Sequence, residues 1–310
     1  MPLNPPSKKL RDKLLSENVF AGAVVTIEQH RQMIDGLLPL AGAPQSVKEV
    51  IEKKISGPNG DIPIRIYAPK KLTSHGALIY FCGSGFVYGN HKQQDVISRQ
   101  LANTCGCKII NVHYRSAPEN KYPIGLNDAY TGIQWAFDHC DALDIDADKI
   151  GVCGYSSGGN FAAVTAIKAR NDGLKLACQI LIAPALDATR SMPSYQKYAT
   201  GYLLDTEAVK WCFDQYLPAE MDREDRMVSP LFAPDLSNLA PALVVGAECD
   251  TLVDEGRAYA DRLKAAGNEV RYSLYAGQLH NFLFFRGALE DEENAFDEMG
   301  MYVRSVFGEF

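Results

Sequence analysis

Ile150-Gly151-Val152-Cys153-Gly154-Tyr155-Ser156-Ser157-Gly158-Gly159-Asn160-Phe161 is the stretch on which the reading of this chain turns. The apolar run Ile150 to Cys153 has the length and character of a short buried strand, and a helical pattern runs from Asn160 to about Arg170. Between them lies a sharp turn with Ser156 at its tip. Gly154 and Gly158, two residues to either side, carry no Cβ to collide with the neighbouring strand and helix, so the turn can close tightly and leave the serine oxygen in the open. Ser157 lacks this framing because Tyr155 stands two residues before it. A Gly/Ser-rich turn can also do no more than cap a helix through a hydroxyl, so the serine has to be judged by its partners.

Outward from this stretch, strand and helix patterns alternate. Apolar runs at Ala77 to Cys82, Lys108 to His113, Lys149 to Cys153 and Ala177 to Ala183 are followed later by Ala242 to Val245 and Val270 to Tyr275. Helical spacing falls between them, near Gln93 to Asn103, Gly125 to His139 and Asp254 to Ala266, with a last helix from Glu292 to Val306. Upstream, Val47 to Ile55 and Ile62 to Tyr67 alternate around Pro58-Asn59-Gly60-Asp61, the signature of a hairpin. The expectation is an α/β fold with an eight-stranded, mostly parallel sheet, an antiparallel start and helices on both faces.

Two regions stand outside the alternation. Helical spacing at Lys8 to Leu15 and Val25 to Leu38 gives two N-terminal helices, and Asp187 to about Arg226 is rich in Tyr, Met and Trp around one clear helix, Thr206 to Tyr216. The second region interrupts the sheet just after a strand's carboxyl end, the edge where open α/β sheets bind ligands. Core segments 46–187 and 226–310 with a helical cap from 1–45 and 188–225 are therefore expected. Most of the aromatics there should hold the insertion together, with a few, Tyr202 and Trp211 among them along with Leu203, reaching substrate.

A net charge of -7 over 310 residues, with no long Lys/Arg cluster, argues against nucleic acid and against a polybasic membrane patch. No apolar stretch approaches the ~20 residues that span a bilayer. The N-terminus, including Phe20 to Ile27, does not read as a secretory signal, so the expected location is cytoplasmic. Eight cysteines without Cys-x-x-Cys pairs read as reduced, small buried hydrophobes, and Cys105-Gly106-Cys107 has no partner nearby that would suggest zinc. No metal and no cofactor is expected.

A serine hydroxyl needs a base within hydrogen-bond reach, held in its tautomer by a carboxylate. Of the six histidines, His280 lies in Ala276 to Phe282, after the last strand and before the last helix, at the sheet's carboxyl edge. His30 and His139 sit in helix patterns and His113 in a strand, which suits satisfied structural residues, while His91 follows a loop at the right edge and is a second choice. For the carboxylate, Asp250 comes just past a strand end, with Glu248 the alternative; Asp254 and Glu255 fall in the first turn of a helix, where acids serve its dipole. The oxyanion that forms during acyl transfer needs N–H donors, and the Gly-rich loop Phe81 to Asn90 can bend toward Ser156. It lacks the Lys and helix start of a phosphate loop.

Tyr114-Arg115-Ser116-Ala117-Pro118-Glu119, Gly154-Tyr155-Ser156-Ser157-Gly158-Gly159-Asn160, Ser229-Pro230-Leu231-Phe232, Glu248-Cys249-Asp250, Asp254-Glu255-Gly256 and Gly277 to Phe282 together carry a resemblance. From about Ile64 to Phe282 the chain resembles the hormone-sensitive-lipase-like branch of the α/β-hydrolase esterases and lipases. The resemblance implies that fold, a cap from the N-terminus and the insertion, Ser156, Asp250 and His280 as a triad, and an oxyanion hole from the N–H groups of Ser84, Gly85 and Ser157. Phe86 and Tyr155, beside these groups, join the expected substrate pocket. The chain departs from the family pattern in two places: Cys82-Gly83-Ser84-Gly85 replaces His-Gly-Gly-Gly, and Tyr155 and Ser157 stand in an elbow that usually reads Gly-Asp-Ser-Ala-Gly. A thiol donates weakly and Ser84 lacks glycine's freedom at positive φ, so a slower or differently selective hydrolase is expected. The expected function is a serine carboxylesterase for short- to medium-chain acyl esters. Its alternatives are an amidase or peptidase on the same groups and a non-catalytic small-molecule receptor. The edge strand 270–275 could pair with a second copy as a homodimer.

Overall fold

The computed structural model describes residues 3–17, 26–89, 91–289 and 292–308; the stretch 18–25, which holds most of the Phe20 to Ile27 piece, lies outside them. Eight strands form one sheet: β1 (Glu49–Ile55), β2 (Ile62–Ala68), β3 (Ala77–Phe81), β4 (Lys108–Val112), β5 (Ile150–Tyr155), β6 (Gln179–Ile182), β7 (Ala242–Cys249) and β8 (Val270–Leu279). Their spatial order is β1-β2-β4-β3-β5-β6-β7-β8. β1 runs antiparallel to β2 and β2 to β4, as the hairpin around Gly60 suggested, and every later pairing is parallel. β3, β5 and β6 are buried along their whole length, which is why they read as unbroken apolar runs rather than alternating ones.

The helices are α1 (Pro5–Ser16), α2 (Ile27–Gly36), α3 (His91–Cys105), α4 (Ile124–Asp138), α5 (Cys140–Leu143), α6 (Ser157–Asn171), α7 (Ser194–Lys197), α8 (Thr206–Tyr216), α9 (Val253–Ala265) and α10 (Glu292–Phe307). α3 packs against α10, and α4 against α6. Two expectations shift. α6 begins at Ser157 rather than Asn160, since burial of its first turn overrides the low helix propensity of Gly158 and Gly159. β8 continues past Tyr275 to Leu279, because a register shift between Ala247 and Cys249 and a positive φ at Gly277 carry it through a stretch with no alternating pattern.

α1 is tied to the end of β8: Asn4 N–H donates to Gly277 O (3.1 Å) and Ser7 Oγ to Gln278 Oε1 (2.8 Å). α2 is tied to the loop after β3 and to the segment before α4. The Arg31 guanidinium donates to Val87 O and Ala117 O and pairs with Glu119. All eight cysteines are free, and all but Cys140 are buried. Among the described residues no helix is long and apolar enough to cross a membrane.

Candidate active site

Ser156 stands between β5 and α6 at φ 55° and ψ -117°, a conformation L-residues rarely adopt. The glycines that permit it answer to steric contact. A Cβ on Gly154 would lie 2.0 Å from Gly158 O, and one on Gly158 would lie 2.0 Å from Phe81 O. The Ser156 N–H donates to Ile182 O (2.8 Å) and its carbonyl accepts from Ala185 N (3.1 Å), so the turn is pinned to the end of β6.

His280 follows β8 directly, and Asp250 follows β7 directly, so adjacent parallel strands deliver both side chains to one edge. Ser156 Oγ is 3.0 Å from His280 Nε2, and His280 Nδ1 is 2.7 Å from Asp250 Oδ2. Asp250 and His280 are both buried. Asp250 Oδ1 accepts from Leu252 N–H (3.0 Å), which fixes the carboxylate plane. Since a carboxylate only accepts, it holds the proton on Nδ1 and leaves Nε2 with a lone pair facing the serine hydroxyl. Tyr155 donates its phenol to the His280 carbonyl. Burial, and then the nearby Asp250, push that phenol well above its ordinary value, so it stays a donor.

The neighbouring acids have other partners. Glu248 accepts from Gly277 N (2.8 Å), Asp254 from Ser194 N (2.8 Å), and Glu255 from Leu186 N (2.6 Å) and Tyr195 Oη (3.0 Å). The last two do sit in the first turn of α9, but their side chains reach back to the insertion instead of serving only the dipole. Of the other histidines, His75 pairs with Asp144 and His139 with Trp135 O, and the side chain of His91 lies outside the described part.

The loop after β3 runs alongside the serine: a Cβ on Gly83 would meet Ser156 Cβ at 3.2 Å. Three expectations about this loop need correction or refinement. Positive φ falls on Gly85 (55°) and Phe86 (64°), not on Ser84, so serine at 84 costs no strain. The Ser84 N–H donates to Ser157 Oγ (3.0 Å), whereas the N–H groups of Gly85 and Ser157 have no acceptor among the described residues. The Cys82 thiol, pushed up to about 11 by burial, is neutral. The loop is held instead at the Cys82 carbonyl, which accepts from Tyr114 Oη (2.7 Å).

These groups open on a cavity of about 190 Å³. Of the residues expected to reach substrate, Phe86, Tyr155 and Leu203 line it. Tyr202 and Trp211 are not in its wall. Tyr202 packs edge-on against Tyr198 (centroids 5.0 Å), and Trp211 stacks over Tyr88 and against His30 (6.2 and 4.7 Å). His30, read as a satisfied helix residue, lines the cavity, and its buried Nδ1 has no hydrogen-bond partner among the described residues. Further wall residues that the sequence reading missed include Met33, Leu204, Asp205, Cys212 and Phe284. Phe284 follows His280 at helical spacing, which could have flagged it; the others carry no local signal. Burial raises the Asp205 carboxyl above the usual range. Among the described residues no group of three or more His, Cys, Asp or Glu is arranged to hold a metal ion.

Comparison with known proteins bears on the same residues. The family described as alpha/beta hydrolase fold matches residues 78–284. The chain is 37% identical over 284 residues to an arylesterase of Saccharolobus solfataricus, covering 91% of this chain and 93% of that one. It is 33% identical over 272 residues to an ethyl acetate hydrolase of Pseudomonas putida, with 86% of each covered. Among solved structures, a hyperthermophilic esterase from the archaeon Pyrobaculum calidifontis superposes with TM-score 0.91 at 36% identity, covering 98% of this chain and 99% of that one. The chain belongs to the hormone-sensitive-lipase-like branch of the α/β-hydrolase family and is an enzyme that hydrolyses carboxylic esters.

Proposed function

We propose that Ser156 is the nucleophile, His280 the general base and acid, and Asp250 the group that orients and stabilises the imidazolium, in a serine carboxylesterase for esters of short to medium chain length. His280 Nε2 takes the Ser156 proton as Oγ bonds to the ester carbon, and the carbonyl oxygen becomes an oxyanion facing the N–H groups of Gly85 and Ser157. As the tetrahedral adduct collapses, the carbon–alkoxide bond breaks and His280 returns the proton to the departing alcohol. Water then attacks the acyl-enzyme with His280 again as base, the acid leaves, and Ser156 is regenerated.

One observation carries this reading: a single imidazole lies 3.0 Å from the serine hydroxyl on one nitrogen and 2.7 Å from a buried carboxylate on the other. The segments 1–45 and 188–225 serve as the cap in this reading, since α2 and α8 both contribute cavity wall. A cavity of about 190 Å³ favours small acyl or alcohol groups, being below the roughly 300–1,000 Å³ of drug-sized pockets. Ser156→Ala should lower turnover of p-nitrophenyl butyrate by about 10³-fold or more, and an unchanged rate would overturn the assignment. A fluorophosphonate that labels Ser156 separates an enzyme from a receptor that only binds. Matched ester and amide substrates separate an esterase from an amidase. β8 is the last strand of the sheet and exposes Leu274; we infer a homodimer through this edge, which gel filtration at several concentrations tests.

A further inference from the structure

The loop that faces Ser156 is held one peptide at a time. The Cys82 carbonyl accepts from Tyr114 Oη (2.7 Å). The next peptide is clamped at both ends: its carbonyl, of Gly83, accepts from Gln94 Nε2 (3.2 Å), and its N–H, of Ser84, donates to Ser157 Oγ (3.0 Å). Gln94 is in turn fixed by Tyr80 Oη (2.7 Å). In the third peptide the Ser84 carbonyl accepts from Val87 N (3.0 Å) and Tyr88 N (2.9 Å). A trans peptide points its C=O and N–H in opposite directions, so those last two bonds aim the Gly85 N–H.

Three hydroxyls tie the clamp to the nucleophile's own helix. Tyr114 has one proton, and it goes to Cys82 O. Ser84 Oγ, 3.1 Å from the phenol oxygen, must therefore donate to it. The Ser157 hydroxyl accepts from the Ser84 N–H and so joins this network through Ser84. Ser84, Tyr114 and Ser157 are all buried, which strengthens these bonds relative to exposed ones.

We propose that the side-chain hydroxyl of Ser157 is a positioning group for ester hydrolysis, holding the Ser84 peptide so that the adjoining Gly85 N–H stands ready for the oxyanion. The proposal rests on Ser156 being the nucleophile. An oxyanion donor works only if it is aimed before the charge appears. An alanine at 157 would leave the Ser84 N–H without its acceptor and would cut the link from the helix of Ser156 to the loop that carries the donor.

The test uses Ser157→Ala, Tyr114→Phe and the double variant. Each is assayed for hydrolysis of p-nitrophenyl butyrate and for inhibition by an alkyl trifluoromethyl ketone, which adds to the serine as a tetrahedral oxyanion. In Ser157→Ala, kcat should fall about tenfold or more while KM stays within about twofold, the pattern of a displaced oxyanion donor. Ketone affinity should weaken by the same factor as kcat/KM. The double variant should fall little below the worse single one, because both substitutions open the same network. A kcat at or above wild type in Ser157→Ala overturns the proposal, since the freed Ser84 N–H would then be a spare donor. So does a loss of kcat with unchanged ketone affinity, or single effects that multiply in full. If Ser156→Ala also keeps its turnover, the nucleophile assignment itself has failed; if Ser156→Ala is inactive while Ser157→Ala is normal, only this inference has.

Discussion

At Ser156 the backbone, not the side chain, carries the cost of presenting the hydroxyl. Its φ of 55° is tolerated because Gly154 and Gly158 remove two Cβ atoms that would otherwise sit 2.0 Å from carbonyl oxygens. Both obstacles are main chain and cannot rotate away. Gly158→Ala should therefore destabilise the protein by about 3 kcal/mol or lose the fold, read in denaturant unfolding, whereas Gly173→Ala, with open space around its Cβ, should cost far less despite its positive φ. Asp250→Asn keeps the shape but can present an amide N–H to Nδ1, turning the imidazole to the wrong tautomer. Its kcat should fall about 10⁴-fold with KM little changed, in steady-state kinetics. Ser156, Asp250 and His280 could be picked from the sequence because each sits at or just past the carboxyl end of a strand whose apolar run is easy to see. The use of the Ser84 N–H could not, because its direction depends on a side chain 73 positions away.

Among the elements, the same contrast between local and distant signals separates what was legible from what was not. All eight strands are visible in the sequence, but by two signals: burial on both faces leaves β3, β5 and β6 as apolar runs such as Leu78 to Phe81, whereas the largely exposed β1 and its partner β2 show by alternation around the Gly60 turn. The end of β8 was not, because Gly277 and a bulge opposite Ala247 extend pairing through residues with no periodicity. Nor did spacing reveal that α9 anchors the insertion. Glu255, wholly buried, accepts from Leu186 N–H and Tyr195 Oη and so ties α9 to the loop after β6 and to α7. Burial pushes this carboxyl well above its ordinary range, outweighing the Leu186 hydrogen bond that pulls the other way. An acid whose native pKa is raised binds more protons folded than unfolded, so its contribution is full below the unfolded value of about 4.5 and is lost as pH rises above it. Glu255→Gln keeps an acceptor without the charge. Measured by thermal unfolding between pH 5 and pH 8, the stability of Glu255→Gln relative to wild type should improve as pH rises; a constant gap would show that the carboxyl ionises normally in the fold.

Over the whole molecule, the carboxyl edge of the sheet carries Ser156, Asp250 and His280, and the segments outside it contribute much of the wall of the cavity they face. His30 and Met33 come from α2, Leu204 and Cys212 from the insertion, and Phe284 from the turn after His280, yet all border one cavity of about 190 Å³. No sequence pattern could have joined them, because their meeting depends on how α2 and the insertion dock. Arg31 contributes to that docking by pairing with Glu119 and donating to two loop carbonyls. If the cavity sets substrate size, kcat/KM for p-nitrophenyl esters should be highest from acetate to hexanoate and fall steeply by dodecanoate, whose chain cannot be enclosed. Leu204 is half-buried in the wall, so Leu204→Ala enlarges the space at little cost to stability. The optimum should move toward longer chains, with kcat/KM for octanoate rising relative to acetate by about 10-fold, the order expected when one or two more methylenes are accommodated. Because the proposed catalytic groups and the loop at Ser84 are untouched, the rate on acetate itself should change little. A variant that loses acetate and octanoate activity equally would mean that Leu204 supports the catalytic groups and that the dimensions of the cavity do not decide selectivity.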